Sequence, residues 1–189
     1  MRVMLLNASP KAYGATQEIL NIMKQALPAG SEVDDLCLGN VPLDFCLGCK
    51  KCYETGDCVR GGEVREILDR LNACDAVVIA CPSYWADVPA QFKAFIDRCT
   101  PYADTAPDNG HWRLRSGIRC YGVALRTGGR TGECEHILAC IEHFCGHMGL
   151  QYGGGLSLTR IEGKEDIAPH AAMLRDAAAR WLGAEEEQA

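Results

Sequence analysis

Short apolar runs alternate along the chain with longer segments in which apolar residues recur every three or four positions. The short runs are typical of strands buried in a sheet, and the longer segments are typical of amphipathic helices. The predicted strands cover residues 2–7, 33–38, 76–81, 119–125 and 151–158. The predicted helices cover residues 16–27, 63–72, 89–99, 133–148 and 165–182.

This alternation predicts a mostly parallel sheet with helices on both sides, and right-handed crossovers favour a three-layer, doubly wound α/β fold. No repeat or linker interrupts residues 1–189, so we expect a single domain. Two loops break the rhythm: the cysteine-rich residues 46–58, and residues 100–117, a long irregular insertion. Doubly wound sheets bind ligands beyond the carboxyl ends of their strands. The turns after the first, third and fourth strands are therefore the candidate site.

The composition indicates a globular protein that handles neither nucleic acid nor a bilayer. Apolar residues make up 48% of the chain, and the net charge of −6 comes without a basic stripe, which argues against nucleic acid as a partner. No apolar run reaches the roughly 20 residues that span a membrane. The N-terminal segment lacks the apolar stretch and cleavage site of a signal peptide, so we expect a cytoplasmic protein.

The first turn, residues 9–16, has the composition of an anion site. It lies between a strand and a helix N-terminus, where free N–H groups and the helix dipole favour a negative ligand. Ser9 and Thr16 add hydroxyl donors, and Lys11 adds a positive charge. The turn matches neither the nucleoside-triphosphate loop nor the dinucleotide pattern. A turn that caps the helix and binds nothing is the alternative.

The turns after the third and fourth strands suit a planar ligand. Residues 82–85 read Pro-Ser-Tyr-Trp, and two large aromatic side chains at the end of a buried strand are costly to leave in water. Residues 127–132 form a glycine-rich turn whose backbone can approach the edge of a ring. The alternatives are that the aromatic residues cover the core or a subunit interface, and that the glycine turn is a flexible connection.

Four of the twelve cysteines fall within residues 46–58, with the spacing C-x2-C-x2-C-x5-C. One short loop can direct such a set of thiolates at one group, as in proteins that bind iron–sulfur clusters. A structural zinc site, a redox-active C-x-x-C pair and buried structural cysteines are the alternatives. Cytoplasmic thiols stay reduced, so we expect no disulfides. Most of the other eight cysteines lie among apolar neighbours, and we expect them to be small buried hydrophobic side chains.

Four segments together carry a resemblance to a known family. They are Ser-Pro-Lys-x-x-Gly-x-Thr at 9–16, the cysteine run, Pro-Ser-Tyr-Trp at 82–85, and Gln-Phe-Lys-Ala-Phe-Ile-Asp-Arg at 91–98. Over residues 1 to about 160, the chain resembles the flavodoxin-like NADPH-dependent FMN reductases, and within them the iron–sulfur flavoproteins.

The resemblance implies a flavodoxin-like fold, bound FMN and a 4Fe–4S cluster. The first turn would hold the FMN phosphate, and the other two turns would bracket the isoalloxazine ring. The implied FMN-binding residues are Ser9, Lys11, Gly14, Ala15, Thr16, Pro82, Ser83, Tyr84, Trp85, Thr127, Gly128 and Gly129. The implied cluster ligands are Cys46, Cys49, Cys52 and Cys58. The chain departs from the family in two respects: Ala15 stands where asparagine is common, and Arg60-Gly61-Gly62-Glu63 replaces a common acidic pair.

The sequence thus predicts an FMN-dependent oxidoreductase that relays electrons through a 4Fe–4S cluster, from ferredoxin or NAD(P)H to an acceptor. Flavin chemistry needs no catalytic side chain of its own. The alternatives are an NAD(P)H-dependent FMN or quinone reductase without a cluster, and an electron carrier without a substrate. The resemblance also suggests a homodimer or homotetramer. His111, Trp112 and Arg113 are candidates to cover the flavin or meet a substrate, or else belong to a solvent loop or dimer contact.

Overall fold

The computed structural model describes residues 1–106 and 113–183, and within these ranges five strands form one sheet. The strands are β1 (Arg2–Asn7), β2 (Glu32–Cys37), β3 (Ala76–Pro82), β4 (Arg119–Leu125) and β5 (Gln151–Leu158). All neighbouring strands pair in parallel, in the order β2–β1–β3–β4–β5. This is the strand order of flavodoxin-like folds, in which the switch point lies between β1 and β3. The predicted doubly wound fold is confirmed.

Six α-helices accompany the sheet in the described ranges. They are α1 (Ala15–Gln25), α2 (Cys52–Thr55), α3 (Glu63–Asn72), α4 (Ala90–Arg98), α5 (Gly132–Met148) and α6 (Ala171–Leu182). Helices α3, α4 and α5 pack on one face of the sheet, and α1 and α6 pack on the other. None of these helices is both long and apolar enough to cross a membrane.

The core consists of two apolar layers, one on each side of the sheet. Consecutive residues of β3 alternate between them: Val77 and Ile79 pack with α3, α4 and α5, whereas Val78 packs with α1 and α6. Because both faces are covered, the strand reads as a continuous apolar run rather than as an alternation with polar residues. The three-layer arrangement follows from that run.

Two predicted elements differ from the structure. The tail was predicted to be one helix over 165–182, but a 3₁₀ segment at Lys164–His170 precedes α6. Pro169 lies in that segment, and proline cannot donate the hydrogen bond that an α-helix needs at this position. The short helix α2 inside the cysteine loop was not predicted, because four residues are too few for a periodic pattern.

The start of the predicted long loop, residues 100–117, is packed against the core. It begins with a 3₁₀ turn at Thr100–Tyr102, and Pro101 and Tyr102 are buried there. Arg113 Nη1 donates a hydrogen bond to the carbonyl oxygen of Pro101 across 3.4 Å. Residues 107–112 lie outside the described ranges, so the expectations for His111 and Trp112 concern a segment that the structure does not describe.

All twelve cysteines are free thiols. Outside the cysteine run six are buried, as predicted, whereas Cys37 and Cys140 are half-buried. Burial raises the pKa of the Cys81 and Cys99 thiols well above the usual value. Thiols of this kind are poor nucleophiles, so they belong to the core rather than to the chemistry.

Candidate functional site

A cavity of about 420 Å³ opens at the carboxyl ends of β1, β3, β4 and β5. The turns after β1 and β3 are neighbours there, because the two strands pair in parallel with Asn7 opposite Ala80. Ten of the twelve predicted FMN-binding residues line this cavity: Ser9, Lys11, Gly14, Ala15, Thr16, Pro82, Ser83, Tyr84, Trp85 and Thr127. The topology thus gathers residues that are more than a hundred positions apart in sequence.

The first turn is organised by Asn7, a fully buried polar residue at the end of β1. Its Oδ1 accepts a hydrogen bond from the Ser9 N–H across 2.9 Å. Its Nδ2 donates to the carbonyl oxygen of Lys11 across 3.2 Å and to Gln17 Oε1 across 3.1 Å. One amide side chain therefore connects the strand, the turn and the first turn of α1.

The N-terminus of α1 faces the cavity through Gly14, Ala15 and Thr16. Among the described residues, no side chain accepts a hydrogen bond at the N-cap of this helix. The first N–H groups of a helix have no partner within the helix and carry its partial positive charge. Ser9 and Thr16 are buried nearby, with 4% of each exposed. The turn can therefore bind an anion such as a phosphate.

The turn after β3 is a tight reversal from Tyr84 to Asp87. The Tyr84 N–H donates to the Asp87 carbonyl oxygen across 2.8 Å, and the Asp87 N–H donates to the Tyr84 carbonyl oxygen across 3.1 Å. Both central residues have positive φ, +52° at Trp85 and +63° at Ala86, as in a type I′ turn. Such angles are unfavourable for residues other than glycine.

This strained turn leaves the Trp85 side chain fully exposed at the cavity. Tyr84 is 42% exposed, and Tyr13 from the first turn is 92% exposed on the same cavity. The alternative that these aromatic residues cover the core is therefore wrong for Trp85. Three exposed rings around one cavity are suited to stacking on a planar ligand.

A polar chain joins the turns that follow β3 and β4. Ser83 Oγ donates a hydrogen bond to Glu133 Oε2 across 2.7 Å. The other oxygen of Glu133 lies 2.9 Å from Arg126 Nη2, and Arg126 Nη1 donates to the carbonyl oxygen of Arg130 across 3.1 Å. Glu133 thus fixes the distance between two walls of the cavity.

Two of the predicted residues, Gly128 and Gly129, do not line the cavity. The Gly128 carbonyl oxygen accepts a hydrogen bond from the Arg160 N–H across 3.1 Å, which joins this turn to the segment after β5. A Cβ at Gly128 would lie 2.4 Å from Arg126 Nη2. The glycines therefore leave room for the side chains of Arg126 and Arg160.

Sequence reasoning missed the wall that follows β5, residues 161–164. The carboxylate of Asp166 shapes this wall by accepting hydrogen bonds from the N–H groups of Glu162 and Gly163, across 2.8 and 3.0 Å. It also missed Asn7, Arg126 and Glu133. Asn7 could have been found, because it is a polar residue at the end of a buried strand. The contact between positions 83 and 133 could not, because no local sequence pattern indicates it.

The cysteine run lies on the surface, outside the lining of the cavity. Cys46 and Cys49 are exposed, and Cys52 and Cys58 are half-buried. Burial raises the pKa of the Cys52 thiol, and the charges of Cys58, Cys49 and Cys46 raise it further. The four sulfurs are thus electrostatic neighbours. In the two described ranges, however, no three groups of the types Cys, His, Asp or Glu are arranged to hold a single metal ion.

A buried arginine lies next to this run. The Arg98 side chain is inaccessible to solvent, and its Nη2 donates to the Gly61 carbonyl oxygen across 2.8 Å and to Glu63 Oε2 across 3.0 Å. Its Nε and Nη1 are buried without an acceptor of hydrogen-bond geometry in the described chain. Burial lowers the pKa of Arg98, but the hydrogen bond to Glu63 and the nearby Cys58 sulfur outweigh it. The Nε and Nη1 groups of Arg98 are therefore suited to donate hydrogen bonds to a negatively charged sulfur at Cys58.

The family comparison agrees with this geometry. The family model for NADPH-dependent FMN reductases matches residues 1–155. The chain belongs to the NADPH-dependent FMN reductase family. Among its relatives is an iron-sulfur flavoprotein of Archaeoglobus fulgidus, 33% identical over 103 residues, which are 54% of this chain and 47% of that protein. An iron-sulfur flavoprotein of Methanocaldococcus jannaschii is 29% identical over 149 residues, 76% of this chain and 70% of that protein.

The first curated relatives match over about half of their own length, 47% and 53%. Solved structures extend the fold comparison to nearly the whole chain. The NAD(P)H:quinone oxidoreductase of Methanothermobacter marburgensis superimposes with a TM-score of 0.69 at 18% identity, covering 95% of this chain and 96% of that one. The flavodoxin-like fold of the family is therefore shared by this chain.

Proposed function

We propose that this member of the NADPH-dependent FMN reductase family is an FMN-dependent oxidoreductase with a 4Fe–4S cluster on its cysteine run. The observation that carries the flavin part is the cavity at the switch point, with an uncapped helix N-terminus on one side and exposed aromatic rings on the other. The names of its relatives and the C-x2-C-x2-C-x5-C spacing support the cluster. We further propose that residues 1–189 act as one domain.

In this proposal the first turn binds the FMN phosphate. The N–H groups of α1, the hydroxyl groups of Ser9 and Thr16 and the ammonium group of Lys11 neutralise it, and Gly14 and Ala15 leave the backbone open to it. Pro82, Ser83, Tyr84, Trp85 and Thr127 border the ring. Gly128 and Gly129 support that wall through Arg126 and Arg160.

The cluster is proposed on Cys46, Cys49, Cys52 and Cys58. A zinc ion needs its four sulfurs about 2.3 Å from one centre, whereas each thiolate of a 4Fe–4S cluster binds a different iron. The C-x2-C-x2-C-x5-C spacing favours the cluster, because zinc sites usually divide their ligands into two separated pairs. Lys50 and Lys51 offset its negative charge, and Arg98 supplies buried donors beside Cys58.

Flavin transfers electrons in pairs or singly and the cluster transfers them one at a time, so together they convert hydride chemistry into single-electron transfer. NAD(P)H or ferredoxin is the proposed donor, and the protein contributes binding, orientation and charge. The cysteine run lies among exposed apolar side chains, Phe45, Leu47 and Val59, which favours burial in a homodimer or homotetramer.

Anaerobic purification followed by iron, sulfide, zinc and flavin analysis tests the proposal. We expect one FMN with about four iron and four sulfide per chain, and loss of the iron in Cys49→Ser. Cys140→Ser is the matched control, because Cys140 is half-buried but outside the run. Stoichiometric zinc in place of iron would leave the flavin site intact and refute the cluster.

A second measurement separates an enzyme from an electron carrier. The purified holoprotein is mixed with NADH or NADPH under anaerobic conditions, with a quinone or free FMN as acceptor, and the nicotinamide absorbance is followed. Steady-state oxidation shows a reductase. If oxidation occurs in protein that contains zinc or no metal, the alternative of a reductase without a cluster is correct. If reduced ferredoxin reduces the protein but neither nicotinamide does, ferredoxin is the donor.

A further inference from the structure

Two histidines one turn apart on α5 place their ring nitrogens together. His143 Nε2 and His147 Nε2 lie 3.1 Å apart, and the ring planes are at 88° to one another with centroids separated by 4.5 Å. Neither residue lines the flavin cavity. Two nitrogens at this separation either share one proton or bind one cation between them.

Asp104 fixes the tautomer of one of the two rings. Its Oδ1 lies 2.7 Å from His147 Nδ1, so that nitrogen carries a proton, and in the neutral ring Nε2 presents its lone pair. The Asp104 N–H also donates to the His147 carbonyl oxygen across 2.9 Å, which holds the carboxylate in place. A carboxylate behind a histidine in this way is the usual outer partner of a metal-binding imidazole.

The distance between the two Nε2 atoms matches metal chelation. Nitrogen ligands lie about 2.0–2.1 Å from zinc, so two of them are about 3.3 Å apart at a tetrahedral angle and about 2.9 Å apart at a right angle. The observed 3.1 Å lies between these values. In the absence of a metal, one of the two Nε2 atoms donates its proton to the other. Chelation needs both Nε2 atoms free of protons, with the proton of each ring on Nδ1, and both lone pairs directed at one ion.

The surroundings leave room for the other ligands of a metal ion. His143 and His147 line a groove of about 300 Å³ between α4 and α5. They lie near the C-terminal end of α5, where the helix dipole favours a cation. Two positive groups are close by: Lys93 is paired with Asp97, and Arg113 is near Asp104. In the described ranges no third histidine, cysteine or carboxylate completes the set, so a metal ion bound here would take its other ligands from water.

We propose that the Nε2 atoms of His143 and His147 chelate a divalent transition metal ion of the zinc class, with Asp104 orienting His147. Imidazole suits zinc, nickel and copper, whereas magnesium and calcium prefer oxygen ligands. The site is independent of the flavin and of the cysteine run.

The test follows the histidine ring resonances of the ¹³C-labelled holoprotein by NMR during titration with Zn²⁺. This readout ignores zinc bound by the cysteines, because it reports each imidazole separately. We expect the His143 and His147 resonances to shift together, and those of His136 and His170 to stay in place. Separate shifts of the two rings, or no shift of either at zinc concentrations that shift His136, would refute the site.

Single variants then test whether the two rings bind one zinc ion together or are merely in contact with each other. We expect His143→Gln or His147→Gln to weaken zinc binding at the remaining ring at least tenfold, and Asp104→Asn to weaken it about tenfold, as outer-sphere changes do. His136→Gln is the matched control, since His136 is an exposed residue of the same helix. Equal zinc affinity in wild type and in the two single histidine variants would mean that the rings bind zinc independently, which contradicts the proposal.

Discussion

The guanidinium of Arg98 donates a hydrogen bond to Glu63 Oε2 across 3.0 Å and so joins the last residue of α4 to the first residue of α3. The arginine side chain is fully buried, whereas 32% of the Glu63 side chain is exposed. A buried charge is tolerated when it is paired, and it becomes costly when its partner is removed. The loop that carries the cysteines ends at this pair.

The two members of the pair are expected to contribute unequally to stability. Glu63→Ala leaves the buried Arg98 charge without its carboxylate partner and should lower the free energy of unfolding by about 3 kcal/mol. Arg98→Met also removes the orphaned Nε and Nη1 donors, so it should cost less than Glu63→Ala. Urea unfolding of the apoprotein measures both.

Lys24→Met is the control for that pair, because Lys24 and Asp35 form an ion pair with 46% of each side chain exposed. Exposed pairs of this kind contribute about 1 kcal/mol or less. A larger loss in Arg98→Met than in Glu63→Ala would mean that the arginine stabilises the fold beyond its contact with Glu63.

Trp85 is expected to oppose stability while it supports flavin binding. Its φ of +52° is unfavourable for tryptophan and free for glycine. Trp85→Gly should therefore raise the free energy of unfolding of the apoprotein by about 0.5–1 kcal/mol, or leave it unchanged. The same variant should bind FMN about tenfold more weakly, because an exposed ring at the cavity is lost.

Thermal unfolding of the apoprotein and fluorescence titration with FMN measure the two effects of Trp85→Gly separately. Tyr53→Ala is a control outside the cavity, and it should leave FMN affinity unchanged. If Trp85→Gly binds FMN as tightly as wild type, the ring does not stack on the flavin. The exposed side chain would then serve a contact with another protein.

Most of the fold could be predicted from the sequence, because the burial of each strand and helix leaves a pattern of apolar residues. Residues 119–125 and 63–72 were predicted with the bounds that the structure shows, because a strand covered on both faces and a helix covered on one face leave clear patterns. The tail helix was wrong at its start, where Pro169 interrupts a segment that is otherwise rich in helix-forming residues. Propensity summed over a window does not register one missing donor.

The sequence predicted those parts of the candidate site whose position depends only on the topology of the sheet. The rule for parallel sheets brought the turns after β1, β3 and β4 to one edge. It gave no hint of the side-chain contacts within that edge, such as the bond from Ser83 to Glu133 across fifty positions. The strained backbone at Trp85 was equally hidden, since no local pattern predicts positive φ at a tryptophan.

Lys11 is expected to recognise the phosphate and not the ring. Lys11→Met should weaken FMN binding about tenfold through loss of one charge-assisted contact, while binding of riboflavin, which has no phosphate, should not change. Fluorescence titrations with the two ligands give the comparison. Lys24→Met is the control, because Lys24 is a lysine of α1 that lies outside the cavity. This variant should bind FMN and riboflavin as tightly as wild type does. An equal loss for riboflavin and FMN would place Lys11 at the ring instead.

Stability is expected to fall in acid through carboxylates that are ionised in the fold. Hydrogen bonding from the Arg2 N–H, across 2.8 Å, lowers the pKa of Asp75, and Arg115 lowers it further. Its own backbone N–H and then Arg98 lower the pKa of Glu63. A carboxyl group whose pKa is lower in the folded state stabilises the protein above its unfolded pKa, and this contribution is lost as the pH falls toward the folded value.

The contribution of Asp75 and Glu63 to the free energy of unfolding should therefore vary little between pH 7 and pH 5. It should decline below about pH 4, where carboxyl groups usually titrate. Asp75→Asn should flatten part of that decline, because the amide does not titrate. Urea unfolding at a series of pH values compares Asp75→Asn with wild type. A decline in Asp75→Asn as steep as in wild type would assign the acid sensitivity to other carboxylates, since the contact with Arg2 would then contribute nothing that depends on charge.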